Sequence, residues 1–380
     1  MDRNTELALI DELLGLDAAR SAYLDETVTR APVAHYIDDP HFADETRAIF
    51  RRHPAMAAHH SELPDPGSFL RKQIAGLPCL LTRDRFGTVH AFLNVCRHRG
   101  ARLVDEDSGC KHLFACPYHA WTWTNQGELR GIPQEKQGFP GLNRAEYGLR
   151  RLPCVERFGW IWVTPDPDDD CDIDSFLAPI APDLDWLSMT DMRIAHSDDF
   201  TCAANWKLLI EGGIEAYHFR VAHAETIGPY FPDNLSTYQT FGAHMRSVLP
   251  RITFGELRDQ PREQWEIRAH ANMVYTLFPT SQFLVQSDHI VWIQLTPINA
   301  GETQIRLSTL APTGPDAQPD DHWARNHAIT RRTLREDFDI GASIQSGLTS
   351  GANSDLTFGR FEGALNRFAT TLQQAFQTET

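Results

Sequence analysis

Four residues within 96–119 carry ligand chemistry: Cys96 and His98 in Cys96-Arg97-His98-Arg99-Gly100, and Cys116 and His119 in Cys116-Pro117-Tyr118-His119. With 7 Cys and 17 His in the chain, chance supplies about 0.3 of either spacing, so one pair alone is weak and the two together are a strong signal. The plain alternative is a set of packing residues. Two Cys and two His also fill a zinc tetrahedron, but zinc fingers usually take both thiols from one turn and both imidazoles from another. Here each loop supplies one of each. That mixed pairing suits a two-iron cluster held between two loops, thiolates on one iron and imidazoles on the other, which raises the reduction potential above that of an all-thiolate cluster. Gly100 and Pro117 permit tight turns near the sulfurs, and Trp121 and Trp123 stand ready to shield the group from water.

A second constellation comprises Glu211, Glu215, His218 and His223. Spacings of three and four put Glu211, Glu215 and His218 on one face of a helix. His223 comes five residues after His218, about 140° round a regular helix, so a helix end or π-type bulge at Phe219–Ala222 is expected if both rings serve one metal. Two His and one carboxylate form the ligand set of mononuclear Fe(II) with positions open for O₂. A solvated acidic helix face is the plain alternative.

At these residues the chain resembles the Rieske oxygenases, the terminal components of multicomponent non-haem iron enzymes. CRHRG and CPYHAW are similar to the family's two cluster loops. Asn205-Trp206-Lys207, Glu211, the acid two residues before Tyr217-His218, and His223 are similar to its catalytic motif. The resemblance implies Cys96, His98, Cys116 and His119 as ligands of a [2Fe–2S] cluster, with Cys110 unused, and His218 and His223 as iron ligands. The family's third ligand is an Asp beside a Glu and ahead of Gln-x-Gly. Glu336-Asp337 before Gln345-Ser346-Gly347 points to Asp337, with Asp339 as the fallback. Two positions depart from the pattern: Gly212 stands where Asn is common, and Glu215 where the bridging acid is usually Asp. That acid links an iron-ligand His to a cluster-ligand His of the neighbouring subunit. A Glu there resembles the branch that includes carnitine monooxygenase, which acts on quaternary ammonium compounds. Glu211 reads either as a second orienting acid or as a buried acid paired with Arg or Lys.

The resemblance further implies a head-to-tail homotrimer, with His119 of one chain facing Glu215 of the next. It implies O₂ as co-substrate and NAD(P)H-derived electrons. The chain has no dinucleotide fingerprint and no further four-Cys set, so the electrons are expected from a separate flavin or iron–sulfur reductase, or through a ferredoxin. The length favours monooxygenation, as hydroxylation or oxidative dealkylation of a small molecule. Three other readings stay open: ring hydroxylation of an aromatic or polycyclic substrate, a zinc-stabilised ligand-binding module without redox activity, and an electron carrier only.

The elements that must position these groups read as α+β: N-terminal helices, a β-rich Rieske domain, and a helix-grip catalytic domain of antiparallel sheet plus helices. The expected division is a helical segment 1–45 packing on the catalytic domain, a Rieske domain 46–165, and a catalytic domain 166–380, with Pro165–Asp170 as the boundary. Residues 1–60 read as helical. Short apolar runs at 77–81, 89–93 and 160–163 read as strands. Residues 200–225 read as helix, 237–310 as strands, and two helices follow the loop Pro312–Asp321. Tyr217, Tyr230, Phe231, Tyr275, Phe278, Phe283 and Trp292 are candidates both for lining a pocket and for core. If the substrate is a quaternary ammonium ion, several should form an aromatic cage.

Composition excludes some partners. The net charge of −16 argues against nucleic acid, which needs a basic face, and against an anionic membrane surface. No apolar run approaches the ~20 residues of a membrane span, and the N-terminus lacks a signal-peptide pattern. Seven sparse cysteines favour the reducing cytoplasm; Cys79, Cys154, Cys171 and Cys202 read as packing residues. The acidic excess suits a reductase with a basic docking face and a cationic substrate.

Overall fold

Two hairpins in the first β-unit turn on residue pairs that both adopt positive φ: Ala75-Gly76 at 49° and 76°, and Phe158-Gly159 at 55° and 83°. The first joins Ser68–Ile74 to Leu77–Arg83, the second Cys154–Arg157 to Trp160–Val163. Such two-residue turns match the twist of paired antiparallel strands. The computed structural model describes residues 1–168, 172–315 and 317–377. It divides into one unit of Phe50–Asp174 and another of Met1–Ile49 with Ser175–Thr380. Cys171 and part of the expected Pro/Asp boundary lie outside the described residues.

The Phe50–Asp174 unit holds a five-stranded sheet and two three-stranded sheets. Its strands include Leu77–Arg83, Val89–Leu93 and Trp160–Val163, the apolar runs of the sequence. One core cluster gathers Phe69, Phe92, Leu103, Trp121 and Trp123 with Cys96 and Cys116. A second packs Ala58, Leu63, Leu81 and Ile161.

The other unit is built on a seven-stranded antiparallel sheet. Its strands are β1 (Met192–Cys202), β2 (Thr237–Phe241), β3 (His244–Pro250), β4 (Ala271–Leu277), β5 (Ser281–Val285), β6 (Ile290–Asn299) and β7 (Glu302–Pro312), in the spatial order β1-β7-β6-β5-β4-β3-β2. Four helices matter most: α1 (Arg3–Ala19), α2 (Trp206–Gly212), α3 (Asp320–Leu348) and α4 (Gly363–Gln377). α4 buries Leu365, Phe368 and Leu372 along one side, the stripe expected of an amphipathic helix.

Two expectations are corrected. Residues 1–60 are not helical throughout: Thr29–Pro32 pairs with Asp355–Phe358, and Ala55–His59 is a sheet strand paired with Trp160–Val163. Nor is 200–225 one helix. α2 stops at Gly212, and only a single turn, Phe219–Ala222, follows. Glu211, Glu215 and His218 therefore do not share a helical face, because the last two lie beyond the helix end.

Glycines at positive φ differ in what surrounds them. A Cβ on Gly127 (φ +84°) would lie 2.4 Å from the Phe92 ring, whereas one on Gly87 (φ +85°) meets nothing within 4 Å. Gly127→Ala is expected to destabilise the protein by more than ~2 kcal/mol, against ~1 kcal/mol for Gly87→Ala, as measured by thermal denaturation. Equal losses would contradict the role given to Phe92.

Candidate metal centres

The two Cys/His loops repeat one backbone pattern. Cys96 N–H donates to Ala101 O and Gly100 N–H to Cys96 O; Cys116 N–H donates to Trp121 O and Ala120 N–H to Cys116 O. Gly100 and Ala120 occupy equivalent positions, at φ +81° and +56°. Each loop thus curls back over its own cysteine. Both thiols are buried, and burial, with Cys116 adjacent, pushes the Cys96 thiol up. The His98 and His119 rings lie 4.9 Å apart, and His98 stacks on Trp121 at 4.8 Å and 7°. His119 Nδ1 is buried without a hydrogen-bond partner among the described residues. Two thiols and two imidazoles on matched loops, one of them offering an orphaned buried nitrogen, fit a mixed-ligand two-iron cluster. Cys110 is exposed, apart from this set.

His218, His223 and Asp337 bring ligand atoms within 4.8 Å of one another. Asp337 Oδ1 lies 2.9 Å from His223 Nε2 and 3.3 Å from His218 Nε2. The latter contact lacks hydrogen-bond alignment, which leaves a second orphaned buried nitrogen. Nδ1 of each ring is held from outside, His218 by Glu215 and His223 by Glu336 at 2.7 Å. Thr226 Oγ1 also donates to Glu336. Burial opposes charge on His218, but the Asp337 and Glu215 carboxylates outweigh it and push the ring up to about 10. Asp339 is elsewhere, paired with Arg335 on an exposed surface. In the sequence Glu336 stands out only as the neighbour of Asp337; adjacent acids on α3 turn to different sides, which lets the two reach different nitrogens of His223.

The helix leading into this site is anchored by the Asn-Trp-Lys segment. Asn205 caps α2 by accepting from Lys207 N–H and donates to Tyr36 O and Ala300 O. Trp206 Nε1 and Lys207 Nζ both donate to Glu45. Gln345 ties Asn205 N–H to Tyr36 O. Glu211 bonds to neither histidine. Its partner is the Tyr36 hydroxyl at 2.7 Å, and burial pushes it up to about 8. Among the described residues no Arg or Lys bonds to Glu211; Lys207, committed to Glu45, reaches it only through its charge.

Two cavities meet here. One, of about 260 Å³, is lined by Glu211, Glu215, His218 and Asp337. The other, of about 500 Å³, reaches His223 and Asp337 from the sheet side. Gly212 borders both, and a Cβ there would meet nothing within 4 Å, so the missing Asn leaves open space. Of the aromatic candidates, Tyr230 and Phe231 line the larger cavity together with Phe219. Tyr275, Phe278, Phe283 and Trp292 are fully buried core, and Tyr217 is exposed, stacked on Phe361. No helix among the described residues is long and apolar enough to cross a membrane.

Residues 189–378 match the ring hydroxylating alpha subunit catalytic domain and residues 53–156 the Rieske [2Fe-2S] domain. The chain belongs to the family of Rieske non-haem iron oxygenase alpha subunits. It is 34% identical over 232 residues to the glycine betaine monooxygenase oxygenase subunit of Pseudomonas aeruginosa strain UCBPP-PA14, covering 60% of this chain and 53% of that protein. It is 30% identical over 199 residues to the biphenyl 2,3-dioxygenase alpha subunit of Rhodococcus jostii strain RHA1, covering 51% and 43%. The chain thus spans about half the length of these relatives. Its fold is similar to that of the quaternary ammonium Rieske monooxygenase CntA in complex with substrate L-carnitine, with a TM-score of 0.77, 22% identity, and 92% and 95% of the two chains covered. Naphthalene 1,2-dioxygenase from Rhodococcus sp. gives 0.78 at 19% identity over both full chains.

Breaking the buried Glu45–Lys207 pair leaves one uncompensated charge. Lys207→Met is therefore expected to cost ~3–5 kcal/mol in denaturant unfolding, with much of it recovered in the Glu45→Gln/Lys207→Met double variant. Glu211 adds a pH dependence. Its pKa in the fold, about 8, exceeds the ordinary 4.5, so its favourable contribution is complete below the ordinary value and is lost as pH rises through the folded one. Glu211→Gln should accordingly gain stability over the parent between about pH 5 and pH 8, read as a widening Tm difference. A constant difference would contradict the burial argument.

Proposed function

We propose that the chain is the terminal oxygenase of a multicomponent system, using O₂ and NAD(P)H-derived electrons to hydroxylate or oxidatively dealkylate a small organic molecule in the larger cavity. The observation that carries this reading is the triad: two imidazoles gripped from outside by carboxylates, their inner nitrogens turned toward Asp337. In this reading His218, His223 and Asp337 hold Fe(II), and Cys96, His98, Cys116 and His119 hold the [2Fe–2S] cluster. When bound, these groups supply single electrons and activate O₂.

The protein's own part is positioning. Glu215 and Glu336 keep the Nδ1 proton of each ring, leaving both Nε2 lone pairs for the metal, the usual work of outer-shell carboxylates on ligand histidines. Glu215 also accepts from the Tyr217 backbone N–H, which fixes the orientation of its carboxylate. An electron route through Glu215 from the cluster of a neighbouring subunit, within a homotrimer, follows from the family resemblance. A separate reductase, directly or through a ferredoxin, feeds that cluster.

For the substrate, Glu215 at the bridging position and the relatives named for glycine betaine and carnitine favour a quaternary ammonium compound. The faces of Phe219, Tyr230 and Phe231 supply apolar, cation-tolerant walls. The size and apolar lining of the 500 Å³ cavity favour a second reading, an aromatic substrate.

The deciding experiment is NADH-dependent O₂ consumption with a surrogate reductase across quaternary amines and aromatic acids. His218→Ala is expected to keep the cluster's visible spectrum and abolish product. Glu336→Gln should lower turnover or iron affinity about 10–100-fold. A colourless protein containing only zinc would overturn the reading.

A further inference from the structure

The larger cavity has a second end that the triad leaves without a role. Gln282, Leu284 and Gln286 line it from one face of β5 and its continuation. Gln282 stands at the metal end, its amide against Gly213 and donating to Ile210 O. Gln286 lies four residues along, about 13 Å away. Strand register fixes what surrounds it. Met273 pairs with Val285, and Val285 with Ile290, so Asn272, Gln286 and His289 come side by side at the same end of three strands. Arg251, just past β3, reaches the same end.

Arg251 and Asn272 both turn donors to this end. Arg251 Nε and Nη2 both donate to Asn272 Oδ1, the former at 3.1 Å. Arg251 Nη1 and Asn272 Nδ2 are left without a partner among the described residues. His289 is 3% exposed; its Nδ1 is held by Asp288 at 2.7 Å, so its ring walls this end without donating into it. Asp288 lines the same end and its charge acts on Arg251, but its oxygens are taken by His289 and, at 2.8 Å, by His322, so it makes no hydrogen bond to the guanidinium. Between this end and the triad the walls are apolar: Leu249, Val274, Leu284 and Ile293. An unpaired guanidinium nitrogen and an amide nitrogen at one space favour an anion as the occupant, since a carboxylate accepts charge-assisted bonds from both.

We propose that Arg251 and Asn272, with His289 walling that end, form an anion subsite that takes the carboxylate of an amphipathic organic acid, the apolar body of the acid filling the cavity and its far end lying at His223 and Asp337. The assignment of the reacting end rests on the oxygenase reading; the binding claim does not. The separation of the two ends calls for an acid with roughly six to ten bonds between carboxylate and reacting carbon. The subsite is equally compatible with a cationic group at the far end.

The test is calorimetric binding to the purified holoprotein, without reductase, of octanoate and 8-(trimethylammonio)octanoate beside the matching primary amides. At least one acid is expected to bind about tenfold or more tightly than its amide. Arg251→Gln should erase that preference while leaving the amide's affinity within about twofold. If that variant does not fold, as judged by the cluster spectrum and Tm, Asn272→Ala should reduce the same preference. Acids and amides binding alike to the parent protein, no binding by any of the four, or a variant that weakens acid and amide equally would each overturn the subsite. Acid preference without O₂ consumption would overturn the oxygenase reading and leave the subsite standing.

Discussion

The missing side chain of Gly213 is the constraint on which the rest of the catalytic unit turns. A Cβ there would sit 2.8 Å from the Gln282 amide; without one, Gln282 closes in and donates to Ile210 O near the end of α2. The helix stops at Gly212. Had it continued, His218 and His223 would have diverged by about 140°. Instead the chain turns after Gly213, Glu215 receives His218, and a single helical turn carries His223 back toward Asp337 on α3.

That turn is useful only because its surroundings are rigid. Asn205, Trp206 and Lys207 fasten the start of α2 to Glu45, Tyr36 and Ala300, and Gln345 on α3 closes the ring of contacts. The Asp337-bearing helix α3 and the glutamate-bearing turn are therefore held against one N-terminal segment. A buried ion pair is a costly way to gain stability, but it is well suited to fixing one arrangement of two ends of a chain.

What the sequence disclosed followed sequence distance. The cluster loops are local, and their spacing, Trp121 and Trp123 were readable together. The strands at 77–81, 89–93 and 160–163 were readable because buried strands are short apolar runs between turn residues. Helix 200–225 was misread because helical spacing of Glu211, Glu215 and His218 gives no hint of Gln282, an amide contributed by β5, ending the helix. Tyr36 and Glu211, 175 positions apart, meet only through tertiary packing, and the motif residues Asn205, Trp206 and Lys207 disclosed no structural purpose until Glu45 stood beside them. The donor pair of Arg251 and Asn272 is likewise created by strand register rather than by any motif.

The central claim is that one chain builds two different iron environments from two separate sets of residues. Mössbauer spectroscopy of protein grown on ⁵⁷Fe tests it most directly. The account predicts about three irons per chain in the reduced protein: a localised mixed-valence pair with unlike iron sites, and one high-spin Fe(II) that is lost selectively in His223→Ala. A single iron type, or loss of all iron in that variant with the fold intact, would contradict it.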